Sequence, residues 1–148
     1  KDGAWMTRYP PTGQSIRLGD VGVHGTGTDL AIVTYGNGNY LSRQAEPRLA
    51  EAGVKARIVD MRWLAPLPEA CLIVAVEGCK RVLIVDECRR TGGQAEGLMA
   101  LFTEQTKIPV ARITAEDSFI ATGPAYAVTM PSADGIFIAA MAMMGARQ

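Results

Sequence analysis

The sequence predicts an α/β domain built on a mainly parallel β-sheet with helices on both faces. β-rich runs alternate along the chain with segments of helical periodicity, and glycine or proline separates most of them. Residues 81–86 form a nearly continuous apolar run, which is typical of a central strand covered on both faces. Parallel strands joined through helices are expected to be connected by right-handed crossovers.

Two β-rich runs open the predicted domain, at residues 21–23 and 30–35. The turn-forming residues 25–29 lie between them, so we predict a hairpin that leads into the first core strand. The next segment has helical periodicity up to the stop signal Gly53. Pro47 lies inside this pattern, where it removes a backbone donor, and we therefore expect a kink or a late helix start.

The same order of strand and helix continues along the rest of the chain. The predicted elements are a strand at 54–60, a helix at 69–76, a strand at 81–86, a helix after residue 93, a strand at 109–114 and a helix at 132–145. Pro68 suits the first turn of the helix that follows it, and Ser132 is a candidate N-cap of the last helix. Residues 115–131 are predicted to be a loop-rich connection.

Composition and charge exclude several classes of function. The 148 residues contain 15 Lys and Arg against 15 Asp and Glu, so no basic field would attract nucleic acid or an anionic membrane. The longest apolar stretch, residues 136–144, is much shorter than the roughly 20 residues of a membrane-spanning helix. We therefore expect a chain that binds neither nucleic acid nor membranes.

The length fits one globular domain, which we place at residues 15–148. Residues 1–14 contain Gly and Pro with little periodicity and are predicted to be a lead-in or linker. The chain begins without Met or an apolar signal core, so we expect it to be a piece of a longer polypeptide.

Cysteine and histidine usage gives little support for a metal or hydrolytic site. Cys71, Cys79 and Cys88 lack ligand spacing, and we expect reduced, buried thiols in the cytoplasm, or in the mitochondrial matrix of a eukaryote. His24 is the only histidine and is predicted to be an ordinary turn or edge residue. The neighbouring residues 25–27 lack the third glycine of a dinucleotide fingerprint and precede a strand.

Two glycine loops lie between a predicted strand and a predicted helix, where open α/β sheets collect ligands. The loops are formed by Gly36, Asn37 and Gly38, and by Thr91, Gly92 and Gly93. Their backbone N–H groups could hold an anion, while a tight turn alone would also require such glycines. Both interpretations stay open, and the first gives an alternative function, a freestanding anion-binding or nucleotide-binding module.

The densest charged cluster surrounds the second of these loops. Glu87, Arg89 and Arg90 follow the central strand, and Glu96 is placed in the first turn of the next helix, where it complements the helix dipole. The arginines could bind a phosphate or carboxylate bidentately, or pair with Asp86, Glu87 or a partner subunit. Salt bridges within the loop or contacts at an interface are the favoured interpretation.

The last predicted helix is apolar around much of its circumference. Its apolar residues include Ile136, Phe137, Ala140, Met141 and Met144. A stripe that faces a single core would be narrower, so this helix packs either inside its own core or against another domain or subunit. Phe137, Met141 and Met144 are therefore candidate interface residues.

Three motifs occur in an order and spacing that are specific in combination. They are DLAIVTYG at residues 29–36, VDMRWLAPL at residues 59–67, and VLIVDE at residues 82–87 followed by GGQAE at residues 92–96. With these motifs the chain, from about Ile16 onwards, resembles the C-terminal domain of the transketolase superfamily. It is most similar to the beta part of 2-oxo acid dehydrogenase E1 components.

The resemblance implies a three-layer αβα fold in which a mostly parallel five-stranded sheet has one antiparallel edge strand. It also implies that thiamine diphosphate and Mg²⁺ bind between two other domains of the full enzyme, which supply the catalytic histidines and the cofactor-activating glutamate. No catalytic, cofactor-binding or metal-binding residue is expected in this chain, which should be inactive alone.

The role that the resemblance implies is assembly. The expected partners are the upstream domains or alpha part of E1, a second E1 beta domain in a homodimer, and the E2 acyltransferase. The loop at residues 89–93 and the last helix are the candidate contacts. The same domain in a transketolase or a deoxyxylulose phosphate synthase is a further alternative, in which the parent enzyme would act on sugar phosphates and need no lipoyl partner.

Overall fold

The computed structural model describes residues 8–145, in which five strands and five helices follow one another along the chain. In chain order these elements are β1 (Gly22–His24), β2 (Leu30–Thr34), α1 (Gly36–Glu51), β3 (Ala56–Asp60), α2 (Glu69–Val76), β4 (Val82–Arg89), α3 (Gln94–Gln105), β5 (Val110–Ala115), a 3-10 helix (Gly123–Val128) and α4 (Ala133–Met143). Residues 8–21 contain no strand or helix, and residues 1–7 of the predicted lead-in lie outside the described residues.

The five strands form one sheet in the order β1-β3-β2-β4-β5. β2 pairs in parallel with β3 and with β4, and β4 pairs in parallel with β5. β1 is antiparallel to β3 and lies at one edge. The predicted fold class, a mostly parallel five-stranded sheet with one antiparallel edge strand, is confirmed.

The predicted hairpin between the first two strands is wrong. β1 pairs with β3, with Val23 opposite Val59, while β2 lies between β3 and β4 and has no free edge for β1. The segment between β1 and β2 instead passes close to the start of β3, where a β-carbon on Gly27 would lie 2.2 Å from the Lys55 carbonyl oxygen. The glycines of this segment therefore allow a close crossing of two chain segments and do not form a hairpin turn.

Helices cover both faces of the sheet, as alternation of strand and helix predicts. Leu30 and Ile32 of β2 pack in one core with buried residues of α1 and α4. Ala31 and Val33 point to the opposite face and pack with buried residues of α2 and α3. Each fully buried Val, Leu or Ile side chain contributes roughly 1.5–3 kcal/mol, so β2 stabilises both layers at once.

α1 begins at Gly36 and runs through Pro47, so the predicted late helix start is wrong. Ala45 and Leu49 lie on either side of this proline and are both fully buried. Their packing against the core outweighs the roughly 3 kcal/mol by which a proline disfavours the interior of a helix.

Residues 123–143 together are long and apolar enough to cross a membrane by length and composition alone. The structure divides them into the 3-10 helix and α4, with Pro131 between them. Ser132 is the predicted N-cap of α4, and its hydroxyl accepts a hydrogen bond of 3.0 Å from the Gly135 N–H. Ile136 and Ala140 on this helix are fully buried in the core that α4 shares with α1.

Candidate functional site

The carboxyl ends of β2 and β4 lie side by side at the centre of the sheet. α1 leads from β2 towards β3, whereas α3 leads from β4 towards β5, on the other side. A crevice forms where two connections diverge in this way, and open α/β proteins commonly bind ligands there. Both glycine loops predicted from the sequence lie at this edge.

Asp86 lies at the centre of this crevice and is fully buried. Its carboxylate accepts hydrogen bonds from the Tyr35 hydroxyl at 2.5 Å, from the Cys88 N–H at 2.8 Å and from the Ala95 N–H at 2.7 Å. A buried carboxylate is stable in such surroundings because each donor offsets part of its desolvation. Asp86 thus joins the end of β2, the end of β4 and the first turn of α3.

Tyr35 closes the crevice from the β2 side. Burial, together with hydrogen bonds to Asp86 and Cys88, raises the pKa of the Tyr35 hydroxyl above its usual range. The hydroxyl therefore stays protonated at neutral pH and remains a hydrogen-bond donor. Thr34 adds a second link between the strands, since its hydroxyl donates to the Val85 carbonyl at 2.9 Å.

The first glycine loop forms the first turn of α1. The Asn37 N–H donates to Glu87 Oε1 at 3.3 Å, and a β-carbon on Gly36 would lie 3.1 Å from the same oxygen. Gly38 is needed for close packing, because a β-carbon there would lie 2.2 Å from Thr34 Oγ1. The chain's own Glu87 carboxylate thus occupies the place predicted for an anion.

The second glycine loop binds another carboxylate of the chain. The Thr91 N–H and hydroxyl donate to Asp117 at 2.8 Å and 2.6 Å. These two hydrogen bonds, with the charges of Arg89 and Arg90 as smaller causes, lower the pKa of Asp117. A β-carbon on Gly93 would lie 2.6 Å from the Arg89 carbonyl oxygen, so this glycine also serves close packing. Gly92 has a φ of 70°, in the left-handed region that favours glycine, so it serves the turn of the loop.

The charged cluster around this loop is held by hydrogen bonds to backbone carbonyls, and not by the predicted pairing of the arginines with Asp86 or Glu87. Arg89 Nε donates to the Thr91 carbonyl at 2.9 Å, and Arg112 donates to the Arg90 carbonyl at 3.1 Å. Within residues 8–145 no ion pair links Arg89 or Arg90 to a carboxylate. Glu96 lies in the first turn of α3, as predicted, with an oxygen 4.0 Å from Arg112.

The structure places the candidate residues of the last helix away from this crevice. Phe137 and Met141 of α4, and Met144 directly after it, are partly buried against the core shared with α1. The Arg48 guanidinium lies 4.4 Å from the centre of the Phe137 ring. Arg48 also pairs with Asp134. α4 therefore covers its own core with much of its apolar surface, and Ile138 remains about half exposed.

The remaining reactive residues lie at separate places. His24 is on the edge strand β1 opposite Ile58, as predicted for an edge histidine. Cys79 is buried as predicted, but Cys71 and Cys88 are exposed, so the prediction of three buried thiols is wrong. Cys71 lies on the outer side of α2, and Cys88 follows Asp86 where the strand leaves the core. Within residues 8–145 no group of three His, Cys, Asp or Glu side chains could hold a metal ion.

Sequence reasoning missed Tyr35 and Asp117 as parts of this edge. The sequence pattern places Tyr35 only in a strand, although a tyrosine at the end of an apolar strand is often half-buried with its hydroxyl bonded to a polar partner. Asp117 lies in an irregular loop 26 residues from its partner Thr91, and local sequence gives no signal for such a contact.

The geometry defines a class of protein: a three-layer αβα domain in which a tyrosine and a buried aspartate are hydrogen-bonded to each other across the central crevice. Residues 19–136 match the family described as Transketolase, C-terminal domain. The chain belongs to this family, which confirms the resemblance carried by the three sequence motifs.

Two curated relatives extend the comparison. The chain is 30% identical over 133 residues to the pyruvate dehydrogenase E1 component subunit beta of Bacillus subtilis, an alignment that covers 87% of this chain and 41% of that protein. It is 32% identical over 96 residues to an acetoin:2,6-dichlorophenolindophenol oxidoreductase subunit beta of Cupriavidus necator, with 65% of this chain and 28% of that protein covered. The chain thus spans about two fifths of the length of the E1 beta subunits that it matches.

Two solved structures share the fold. One is a split gene transketolase, described as an inactive beta4 tetramer, with a TM-score of 0.81 and 21% sequence identity. The superposition covers 96% of this chain and 47% of the transketolase chain. The other is the 2-oxoglutarate:ferredoxin oxidoreductase of Magnetococcus marinus, with a TM-score of 0.59 and 21% sequence identity. The superposition covers 81% of this chain and 19% of the oxidoreductase chain. At this level of identity the likeness concerns the fold alone.

Proposed function

We propose that this chain is the C-terminal assembly and docking domain of the beta part of a thiamine-diphosphate-dependent 2-oxo acid dehydrogenase E1, inactive alone. The parent enzyme would decarboxylate a 2-oxo acid oxidatively and transfer the acyl group to the lipoyl group of E2. The similarity to pyruvate dehydrogenase E1 beta subunits supports this choice of parent. A reducing compartment, the cytoplasm or the mitochondrial matrix, suits its exposed thiols.

One observation supports the assembly role: backbone N–H groups at the carboxyl edge of the sheet already bind carboxylates of the same chain. Asp86 binds the amides of Cys88 and Ala95, Glu87 binds that of Asn37, and Asp117 binds that of Thr91. Backbone N–H groups at the start of a helix are the usual donors to a phosphate. Since a carboxylate already accepts from each, these N–H groups do not fit a diphosphate, and the described residues contain no group of three side chains that could hold a metal ion.

Docking on partners would use the groups that remain free at the same edge. Arg89 and Arg90 have no carboxylate partner within residues 8–145, and the neighbouring Phe119 is fully exposed. An arginine beside an exposed aromatic side chain is typical of the centre of a protein interface. We therefore propose residues 89–93 and residue 119 as the contact with E2 or with another part of E1.

The test is a calorimetric titration of thiamine diphosphate and Mg²⁺ into this chain and, in parallel, into the assembled alpha and beta parts of the parent enzyme. We expect saturable binding only to the assembly, because the loop amides in this chain are already bonded. Saturable binding to the 148-residue chain would contradict the proposal and return the glycine loops to the status of a ligand site.

A further inference from the structure

The connection between β5 and α4 is a surface loop whose two ends are held together. The Glu116 N–H donates a hydrogen bond of 3.0 Å to the Thr129 carbonyl, which closes the neck of the loop. Ala115 before the neck and Pro131 after it are buried, whereas residues 116–128 are all exposed. We call residues 116–130 the Ω-loop, because a compact surface segment with joined ends has this form. Such a segment can open locally while the rest of the fold stays intact.

One side chain fastens the Ω-loop to the body of the domain. Asp117 accepts hydrogen bonds from the Thr91 N–H at 2.8 Å and from the Thr91 hydroxyl at 2.6 Å. Within residues 8–145, no other hydrogen bond and no ion pair joins residues 117–130 to the chain outside the loop. The contact between Thr91 and Asp117 is therefore a latch.

The apolar side chains of the Ω-loop do not hold it in place. Phe119 is fully exposed, and Ile120 and Val128 are 56% and 84% exposed. Neither of the two hydrophobic cores of the described residues includes a residue of this loop. Burial of apolar area thus contributes little to the closed position, and the latch decides whether the loop stays closed.

A cleft lies between the closed Ω-loop and the end of β4. It consists of two adjoining cavities of about 610 Å³ and about 650 Å³, and Arg89 and Phe119 line both of them. Cys88 lines the larger cavity together with Ile120 and Met130 of the loop. The loop therefore forms one wall of this cleft, and the residues that follow Asp86 form the other.

We propose that the Ω-loop is a lid on this cleft, which the Thr91–Asp117 latch holds shut and which turns about its neck. Small molecules reach the exposed Cys88 in either position, whereas a bulky molecule enters the cleft only when the lid is open. The hydrogen bonds of the latch join exposed partners and compete with water, so the open state is a minor but populated one. The lid is a property of this chain alone and does not depend on the assembly function.

Limited proteolysis with chymotrypsin tests the latch, because the Ω-loop contains Phe119 and Tyr126 as cleavage sites. A protease needs an extended segment and therefore cleaves the open state. Asp117→Ala removes both hydrogen bonds of the latch and should raise the rate of cleavage at these two sites roughly tenfold. Glu116→Ala is the matched control, since it removes the same charge one residue earlier and should leave the rate unchanged. Mass spectrometry locates the cuts, and circular dichroism melting curves show that each variant is folded.

Alkylation of Cys88 tests whether the loop gates the cleft. In Asp117→Ala, a maleimide on a long polyethylene glycol chain should react with Cys88 several times faster than in the wild type, whereas the small reagent iodoacetamide should react at the same rate. Cys71 on α2 is the internal control and should react equally in both proteins. Unchanged cleavage in Asp117→Ala would overturn the proposal. Faster cleavage without faster reaction of the bulky maleimide at Cys88 would overturn it too, because the loop would then open without controlling access.

Discussion

At the scale of single residues, Asp86 ties together three segments that are distant in sequence. Its buried carboxylate accepts hydrogen bonds from Tyr35, Cys88 and Ala95. Removing the carboxylate leaves buried donors without partners, which costs more than the net contribution of the hydrogen bonds themselves.

We expect Asp86→Ala to lower the free energy of unfolding by about 3 kcal/mol, because several donors lose one acceptor. Tyr35→Phe removes a single donor and should cost about 1 kcal/mol. Urea unfolding followed by circular dichroism measures both values. If Asp86→Ala cost no more than the substitution of the exposed Glu116 by Ala, the anchoring role would be contradicted.

Asp117 gives a residue-scale prediction about pH. Hydrogen bonds from the Thr91 hydroxyl and N–H hold the pKa of Asp117 below its usual value of 3.8. Because the folded-state pKa is the lower one, this contact stabilises the fold above the unfolded-state pKa, and the contribution disappears as pH falls through the folded-state pKa. In an NMR titration of carboxyl carbons, Thr91→Val should raise the pKa of Asp117 towards 3.8, and Ser118→Ala should leave it unchanged. An equal pKa in wild type and Thr91→Val would refute the contact.

At the scale of elements, the start of α1 depends on a glycine that lets the helix approach β2. The position of a β-carbon on Gly38 is already taken by the side chain of Thr34, whose hydroxyl is bonded to Val85. Gly97 in α3 is the opposite case, since it is exposed and a β-carbon there would meet nothing within 4 Å.

Gly97→Ala should raise the free energy of unfolding by roughly 0.5–1 kcal/mol, as expected at an exposed position inside a helix. Gly38→Ala should lower it by about 1–3 kcal/mol, because the added methyl group must displace Thr34. The same chemical change is made in two helices, so helix propensity cancels in the comparison of their thermal or urea unfolding. Stabilisation of both variants would show that Gly38 has room for a side chain.

At the scale of the whole molecule, the three cysteines report on the intact fold. Cys71 and Cys88 are exposed and Cys79 is buried, where desolvation raises the pKa of its thiol. A chromogenic disulfide reagent should therefore label two thiols per folded chain rapidly and the third only at the rate of opening of the core. Cys79→Ala should abolish the slow phase alone. Rapid labelling of all three thiols in the folded chain would be incompatible with the packing described.

The strands of the sheet centre were predictable because burial on both faces demands continuous apolar sequence, as in residues 30–35 and 81–86. The pairing of β1 was not predictable. Its three residues carry too little sequence pattern, and its partner depends on which strand of the folded sheet has a free edge. The burial of Asp86 was not predictable either. A charged residue at the end of a strand is usually exposed, and its donors at residues 35 and 95 become neighbours only in the folded chain.

The strand order also bears on how the chain is made on the ribosome. β1 and β2 are synthesised before the other strands of this sheet, yet both pair with β3, and the other neighbour of β2 is the still later β4. Within the sheet that the structure describes, neither β1 nor β2 can therefore find its partner until residues 56–60 have emerged. If the ribosome pauses before this point, an unpaired apolar strand is exposed, and chaperones bind segments of this kind. The translation rate through α1 thus sets how long the nascent chain stays exposed to misfolding.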